Sequence, residues 1–244
     1  MIEFPEILIE RLKKAKKVAV LTGAGISAES GVPTFRGKEG LWSKFRPEEL
    51  ATVEAFMSNP KLVWEWYLHR REIMNKVSPN AGHYALVEME KFYPDFTLIT
   101  QNVDGLHRRA GSQKVLEVHG NITKNKCFEC GEPFEGEISL EGGNLPRCEC
   151  GGRIRPDVVW FGEMLPERAL SDAFEASSRA ELFLSIGTSA LVHPAAAMPL
   201  TARRHRAYLV EINLEPTPLT EYADFALQGK SGEILPQLVE IFKK

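Results

Sequence analysis

The stretch from Val20 to Gly40 reads VLTGAGISAESGVPTFRGKEG, and the fold of the whole chain is decided by how it is taken. An apolar, largely β-branched run from Val18 to Leu21 runs into glycines at 23, 25 and 31 and then into a polar loop containing Pro33. A buried parallel strand delivers its end to a ligand in this way. Glycine lets backbone N–H groups approach a phosphate, and a following helix N-terminus adds a favourable dipole. The spacing G-x-G-x5-G differs from the G-x-G-x-x-G of hydride-transferring nucleotide folds. On the glycines alone, a phosphate site and a plain strand-to-helix turn both remain open.

Working outward, Pro5 to Lys16 has helical character, with Ile7, Leu8, Leu12 and Ala15 on one side and lysines crowding the last turn, where cations suit the dipole. Strands are expected over Lys17 to Thr22, Phe96 to Thr100, Lys114 to Val118, Leu182 to Ile186, Ala207 to Ile212 and Ala223 to Leu227, and helices over Asn80 to Lys91 and from Ser231 to about Phe242. Alternating strands and helices predict a doubly wound, Rossmann-like parallel sheet. Several strands end in polar or small residues, as in Gln101-Asn102-Val103-Asp104, Gly187-Thr188-Ser189 and Asn213-Leu214-Glu215. Ligands of open α/β sheets bind at such carboxyl ends.

Two segments interrupt the alternation. Residues 41–78 have Pro47 and Pro60 opening short helical patterns, and their aromatics Phe56, Trp64, Trp66 and Tyr67 read as the core of a helical insertion. Tyr67 and Arg70, at i and i+3, share a helical face and offer a hydroxyl and a guanidinium to one carboxylate; a core Tyr beside a solvated Arg is the plainer alternative. The second insertion holds all four cysteines, Cys127, Cys130, Cys148 and Cys150. With no other thiol in the chain to pair with, this clustering favours a four-cysteine zinc site over two local disulfides. The fold expected is one domain with a large lobe from 1–40, 79–123 and 157–244, and a small lobe from insertions 41–78 and 124–156.

Composition bounds the rest. The 244 residues are 43% hydrophobic and 26% charged, with a formal net charge of −3, which is ordinary for a globular protein and argues against a basic nucleic-acid binder. Around the cysteines, Lys124, Lys126, Arg147, Arg153 and Arg155 are offset by six glutamates, so a nucleic-acid zinc ribbon is disfavoured. No apolar run reaches the roughly 18 to 20 residues that span a bilayer, and the first residues carry no secretory h-region, so a cytoplasmic location and no membrane partner are expected. His119, at a strand end before Gly120, is either a satisfied surface or core residue or a general base suited to neutral pH. The run Val158 to Glu163, VVWFGE, is expected to be extended and apolar, either core or an edge able to take a peptide by β-augmentation.

Taken together, GAGISAESGVPTFRG at 23–37, TQNVDGLHRRAG at 100–111, His119-Gly120, the four cysteines, VVWFGE at 158–163, GTS at 187–189 and NLE at 213–215 resemble the sirtuin family of NAD-dependent protein deacylases. The resemblance runs in order along essentially the whole chain. It implies that NAD is a consumed co-substrate: the acyl oxygen of a modified lysine attacks C1′ of the nicotinamide ribose, nicotinamide leaves, and free lysine and O-acyl-ADP-ribose are formed. It assigns NAD contacts to Gly23, Ala24, Gly25, Ser27, Glu29, Thr34, Phe35, Arg36, Trp42, Gln101, Asn102, Val103, Asp104, Gly187, Thr188, Ser189, Asn213, Leu214, Glu215 and Ser231. His119 becomes the base that activates a ribose hydroxyl, and Val159, Phe161, Gly162 and Glu163 line the acyl-lysine cleft. One structural Zn²⁺ is implied on Cys127, Cys130, Cys148 and Cys150. Tyr67-Leu68-His69-Arg70 resembles the Tyr-x-x-Arg pattern of the subclass that removes acidic acyl groups, so substrates would be acetyl-, succinyl- or malonyl-lysine proteins or peptides.

Overall fold

The computed structural model describes residues 2–35, 40–140 and 145–243, without the side chain of Trp42. The chain opens with α1 (Glu6–Lys14), β1 (Lys17–Thr22) and α2 (Ala24–Ala28). Four helices follow, α3 (Leu41–Lys44), α4 (Pro47–Leu50), α5 (Val53–Ser58) and α6 (Pro60–Lys76), and then α7 (Ala81–Glu90). After β2 (Asp95–Thr100), α8 (Leu106–Ala110) and β3 (Val115–Glu117), a small sheet is built from β4 (Gly120–Cys127), β5 (Pro133–Phe134) and β6 (Ile154–Val158). The chain returns through α9 (Glu167–Arg179), β7 (Leu182–Ile186), α10 (Met198–Arg204), β8 (Tyr208–Asn213), β9 (Phe225–Gln228) and α11 (Ser231–Lys243).

The six strands of the main sheet lie in the order β3-β2-β1-β7-β8-β9, and every pairing is parallel. This is the doubly wound sheet expected. Parallel strands covered on both faces read as continuous apolar runs rather than alternating ones. Val18 and Val20 turn one way, into a core with Leu86, Met89, Leu235 and Leu238 from α7 and α11. Ala19 and Leu21 turn the other way, toward Ala173, Met198 and Ala202 from α9 and α10. Burying a Leu or Val side chain in such a core stabilises by about 1.5 to 3 kcal/mol.

A smaller lobe has its own core, in which Phe56, Val63 and Trp64 of the helical segment meet Ile154 and Trp160. The aromatics are core, as the sequence suggests. Helix α6 is one helix of 17 residues rather than a short one. Asn59 caps it through its side chain, Pro60 stands at the first turn, where a missing N–H costs nothing, and no glycine interrupts it. Its face toward the small sheet is pinned by the Trp64 indole N–H donating to the Ile154 carbonyl at 3.0 Å. Arg71 adds donations to the carbonyl of Ile122 and the side chain of Asn125, both at 2.6 Å.

Candidate active site

The order of the main sheet reverses between β1 and β7, which leave the sheet side by side. Ligands of open α/β sheets bind in the crevice beyond the strand ends at such a reversal. Here the loops after the two strands pack backbone against backbone: the N–H of Gly23 donates to the carbonyl of Ile186 at 3.0 Å, and that of Gly25 to the carbonyl of Gly187 at 2.8 Å. A Cβ on Gly25 would stand 2.7 Å from the Cα of Gly187, so no side chain fits. The two glycine N–H groups are therefore bonded inside the fold, and the glycines bring the loops together under a cavity.

That cavity holds about 600 Å³. The sequence-derived residues Gly23, Ala24, Gly25, Thr34, Phe35, Gln101, Asn102, Val103, His119, Gly187, Thr188, Ser189, Asn213, Leu214 and Glu215 line it, together with Tyr67, Arg70, Val159, Phe161, Gly162 and Glu163. A neighbouring cavity of about 280 Å³ shares Gly25, Gly187, Asn213 and Leu214 and adds Glu29 and Ser231. Within it, the Glu29 carboxylate accepts from the Ser231 hydroxyl at 3.1 Å and from the Gly232 N–H at 2.9 Å. It thus satisfies an orphan donor of α11 and ties the loop after β1 to the last helix. Arg36 lies outside the described residues, as does the side chain of Trp42.

Ser27 and Asp104 line neither cavity; they sit a layer below. The Ser27 hydroxyl donates to Asp104 Oδ2 at 2.7 Å and accepts from the Asn102 amide at 3.2 Å. The same amide donates to the Gly23 carbonyl at 3.0 Å, so Asn102 is held from two sides. Asp104 also accepts the Leu106 N–H at 2.8 Å. Burial raises its carboxyl pKa, and the bonds from Leu106 and Ser27 work against that rise.

Two histidines, His83 and His107, to which the sequence alone assigns no role, complete this layer. His83 Nδ1 accepts the backbone N–H of Asn80, which leaves its Nε2–H directed at the Ser27 hydroxyl. His107 Nε2 lies 2.9 Å from the Thr22 hydroxyl, and the two imidazole rings are 4.8 Å apart. Burial drives His83 down to about 4 and lowers His107 as well, so both are neutral. The one available signal was the partial capping pattern, Asn80 followed three residues later by His83.

His119 is placed by the crossing of β4 over β6. Gly120 has φ +81° and a Cβ there would lie 2.2 Å from the carbonyl oxygen of Asp157, so only glycine lets the chain turn away at this point. The ring Nδ1 is 3.0 Å from the Gln101 carbonyl oxygen. A carbonyl only accepts, so Nδ1 carries the proton and Nε2 is left with a lone pair. Burial lowers the His119 pKa, with the Gln101 bond opposing. A neutral imidazole with one orienting bond and one basic nitrogen is equipped as a general base. The Gln101 amide in turn donates to the Thr188 hydroxyl at 2.9 Å.

The run from Val158 to Glu163 is only partly extended. Val159 N–H donates to the His119 carbonyl at 2.9 Å and Phe161 N–H to the Ala51 carbonyl at 2.9 Å, but the chain then turns, with the Glu163 N–H on the Trp160 carbonyl at 3.1 Å. Gly162 takes φ +86° in that turn. The Glu163 carboxylate points inward, where it accepts two bonds from the Arg155 guanidinium and the Trp160 N–H, the last at 2.8 Å. The turn interrupts the edge, so the run is not one continuous strand.

Tyr67 and Arg70 lie on one face of α6, as their spacing requires, and Arg70 is not a solvated arginine: it is 6% exposed. Its guanidinium sits over the rings of Phe35 and Trp66 at 4.9 and 4.8 Å. Among the described residues no hydrogen bond or ion pair reaches it.

The four cysteine sulfurs lie within 4.8 Å of one another. Zinc–sulfur bonds of about 2.3 Å in a tetrahedron place sulfurs about 3.8 Å apart. Cys127 and Cys150 are separated by 3.5 Å, and Cys130 and Cys148 by 3.6 Å, so the sulfurs fit one zinc ion. The compressed Cys148-Glu149-Cys150 spacing works because the Gly151 N–H closes on the Cys148 carbonyl at 2.8 Å. Four thiolates fill the shell and leave no position for water, which marks a structural metal. Zinc removal is accordingly expected to lower the melting temperature by on the order of 10 °C, together with activity. Thermal unfolding with and without chelator tests this, and an unchanged melting temperature would count against a structural metal.

The comparisons with known proteins agree with this geometry. The Sir2 family model matches residues 23–194. The chain is 54% identical to an NAD-dependent protein deacylase of Aquifex aeolicus over 93% of its own length and 95% of that protein's. It is 51% identical to an NAD-dependent protein deacylase of Pyrococcus furiosus over 96% of each. A solved Sir2 homolog–NAD complex superposes with a TM-score of 0.91 at 46% identity, covering 99% of this chain and 95% of that one. A Sir2 variant with a deacetylated p53 peptide and 3′-O-acetyl ADP-ribose superposes with a TM-score of 0.86 at 36% identity, covering 96% and 97%. With the family's model spanning both strand-end loops, and relatives near half identical along almost its whole length, the chain belongs to the Sir2, or sirtuin, family.

Proposed function

We propose that the chain is an NAD-dependent protein-lysine deacylase, acting on acetyl-lysine and on the acidic malonyl- and succinyl-lysine. The observation that carries this reading is His119: a neutral imidazole, fixed by Gln101 at 3.0 Å, presents a basic Nε2 in a cavity at the reversal of the sheet. The cavity suits a dinucleotide. Ser189, Asn213, Glu215, Gln101, Asn102 and His119 all line it, and Gly25 packs against Gly187 with no room for a side chain.

When bound, NAD supplies an electrophilic ribose carbon and nicotinamide as leaving group, displaced by the acyl oxygen of the lysine. The chain's own residues do the rest. Asn102, locked by Gly23 and Ser27, and Gln101, locked by Thr188, present fixed amides near the nicotinamide end. Glu215 accepts from ribose hydroxyls at the adenosine end. His119 Nε2 would take a proton from a ribose hydroxyl, which becomes the acceptor of the acyl carbon; one water then adds to that carbon, replacing the oxygen left on C1′, and free lysine and O-acyl-ADP-ribose are released after nicotinamide. Phe35 covers the reacting carbon and excludes water. Val159, Phe161 and Gly162 border the acyl-lysine, while Glu163 holds their turn through Arg155.

The acidic acyl range rests on Tyr67 and Arg70. A buried guanidinium that feels the Asp104 charge but makes no hydrogen bond or ion pair among the described residues suits a carboxylate that arrives with the substrate. Acetyl-, malonyl- and succinyl-lysine peptides incubated with NAD test the proposal. Release of nicotinamide in step with loss of each acyl group is expected, without the absorbance of a reduced cofactor. A peptide that gains ADP-ribose while keeping its acyl group would point to transfer instead.

A further inference from the structure

The acyl end of the cavity has a feature that Tyr67 and Arg70 do not account for. The indole N–H of Trp160 donates to the Tyr67 hydroxyl at 3.0 Å. An indole N–H only donates, whereas a phenol has one proton and can both accept and donate. Once its oxygen accepts from Trp160, the phenol proton points away from the indole. Among the described residues the Tyr67 hydroxyl donates to no protein group. Tyr67 and Arg70 both line the cavity from one face of α6, and each lies within the other's electrostatic reach.

Trp160 has little freedom to give up this arrangement. It is 2% exposed and packs against Phe56 with ring centroids 5.2 Å apart. The Arg155 guanidinium lies 3.4 Å from the centre of its ring, and the Trp160 backbone N–H donates to the Glu163 carboxylate at 2.8 Å. Arg155 in turn bonds the Glu163 carboxylate and the Val158 carbonyl. The indole is therefore clamped from its face and through its backbone.

We propose that Trp160 is a positioning residue for acyl selectivity: its N–H turns the Tyr67 hydroxyl into an oriented donor aimed at the terminal carboxylate of an acidic acyl chain. Tyr67 keeps the proton it needs, because burial pushes its pKa up to about 12. Without the indole N–H, the hydroxyl is free to rotate, and a carboxylate must order it on binding. A substrate with no terminal carboxylate gains nothing from that order.

This inference rests on the acidic-acyl reading, and the test separates the two. Trp160→Phe, Tyr67→Phe, the double variant and Arg70→Met are compared with the native enzyme by the ratio of kcat/KM for succinyl over acetyl peptide. Trp160→Phe is expected to lower the ratio about five- to ten-fold, mainly through KM for the succinyl peptide. In the Tyr67→Phe background the same change is expected to leave the ratio where Tyr67→Phe had put it.

A ratio lowered by Arg70→Met but unmoved by Trp160→Phe would overturn the role of Trp160 and leave the acidic-acyl reading standing. So would a second, equal fall in the double variant, which would mean that Trp160 acts by packing. A native enzyme inert toward succinyl peptide, or a ratio untouched by Arg70→Met, would overturn the reading and the inference with it. Should Trp160→Phe fail to fold, a benzothienyl analogue of tryptophan, with sulfur in place of N–H, keeps the shape, and the same ratio decides.

Discussion

His119→Ala is expected to remove acyl transfer by a factor of about 10² to 10⁴ while the protein keeps its melting temperature. The His119 ring makes one bond to the fold, from Nδ1 to the Gln101 carbonyl, and no other protein group in the described residues is bonded to its Nε2. Losing the side chain therefore deletes the base with little else. The pH dependence follows in sign. A base works unprotonated, and burial lowers the His119 pKa from the ordinary 6.5, so the acid limb of kcat/KM is expected below that value. Full activity of the alanine variant, or an acid limb well above 6.5, would remove His119 from the role. Rates of nicotinamide release measured against pH for both proteins check the two together.

Arg70→Met is expected to cut desuccinylation about 10- to 100-fold more than deacetylation. Charge-assisted hydrogen bonds contribute roughly 1.5 to 3 kcal/mol each, and only the acidic acyl group makes one here. Methionine preserves the packing between Phe35 and Trp66, where the guanidinium now lies. The charge is therefore the main loss. Burial lowers the Arg70 pKa, so its cation is desolvated and a substrate carboxylate would pair with it. Equal losses on both peptides would return Arg70 to a general structural role.

The main sheet was legible because its central strands are buried on both faces. Val18 to Leu21 is an unbroken apolar run, Leu182 to Ile186 is interrupted only by the buried Ser185, and glycines mark where each meets the ligand loops. Strand β4 was not legible: Gly120-Asn121-Ile122-Thr123-Lys124-Asn125-Lys126-Cys127 is mostly polar, and its antiparallel pairing with β6 begins where Gly120 meets the Asp157 carbonyl too closely for any side chain. The cysteine ligands could be read from clustering alone, since four thiolates in one place have few uses.

Depth is what the linear sequence concealed. Ser27 and Asp104 sit in motifs beside cavity residues, yet their polar groups face each other below the floor. Glu163 follows Phe161 and Gly162 along the cleft, but the turn at Gly162 directs its carboxylate to Arg155. A motif names neighbours in sequence; the hydrogen-bond partner His83 comes from another element, where only its capping position after Asn80 marks it.

The central claim is that the cavity at the β1–β7 reversal cleaves NAD and passes the acyl group to its ribose. Mass spectrometry of all products from one acetyl-lysine peptide and NAD tests it most directly. The account predicts free lysine peptide, nicotinamide and O-acetyl-ADP-ribose in equal amounts. Free acetate with NAD left intact, or reduced NAD among the products, would contradict it.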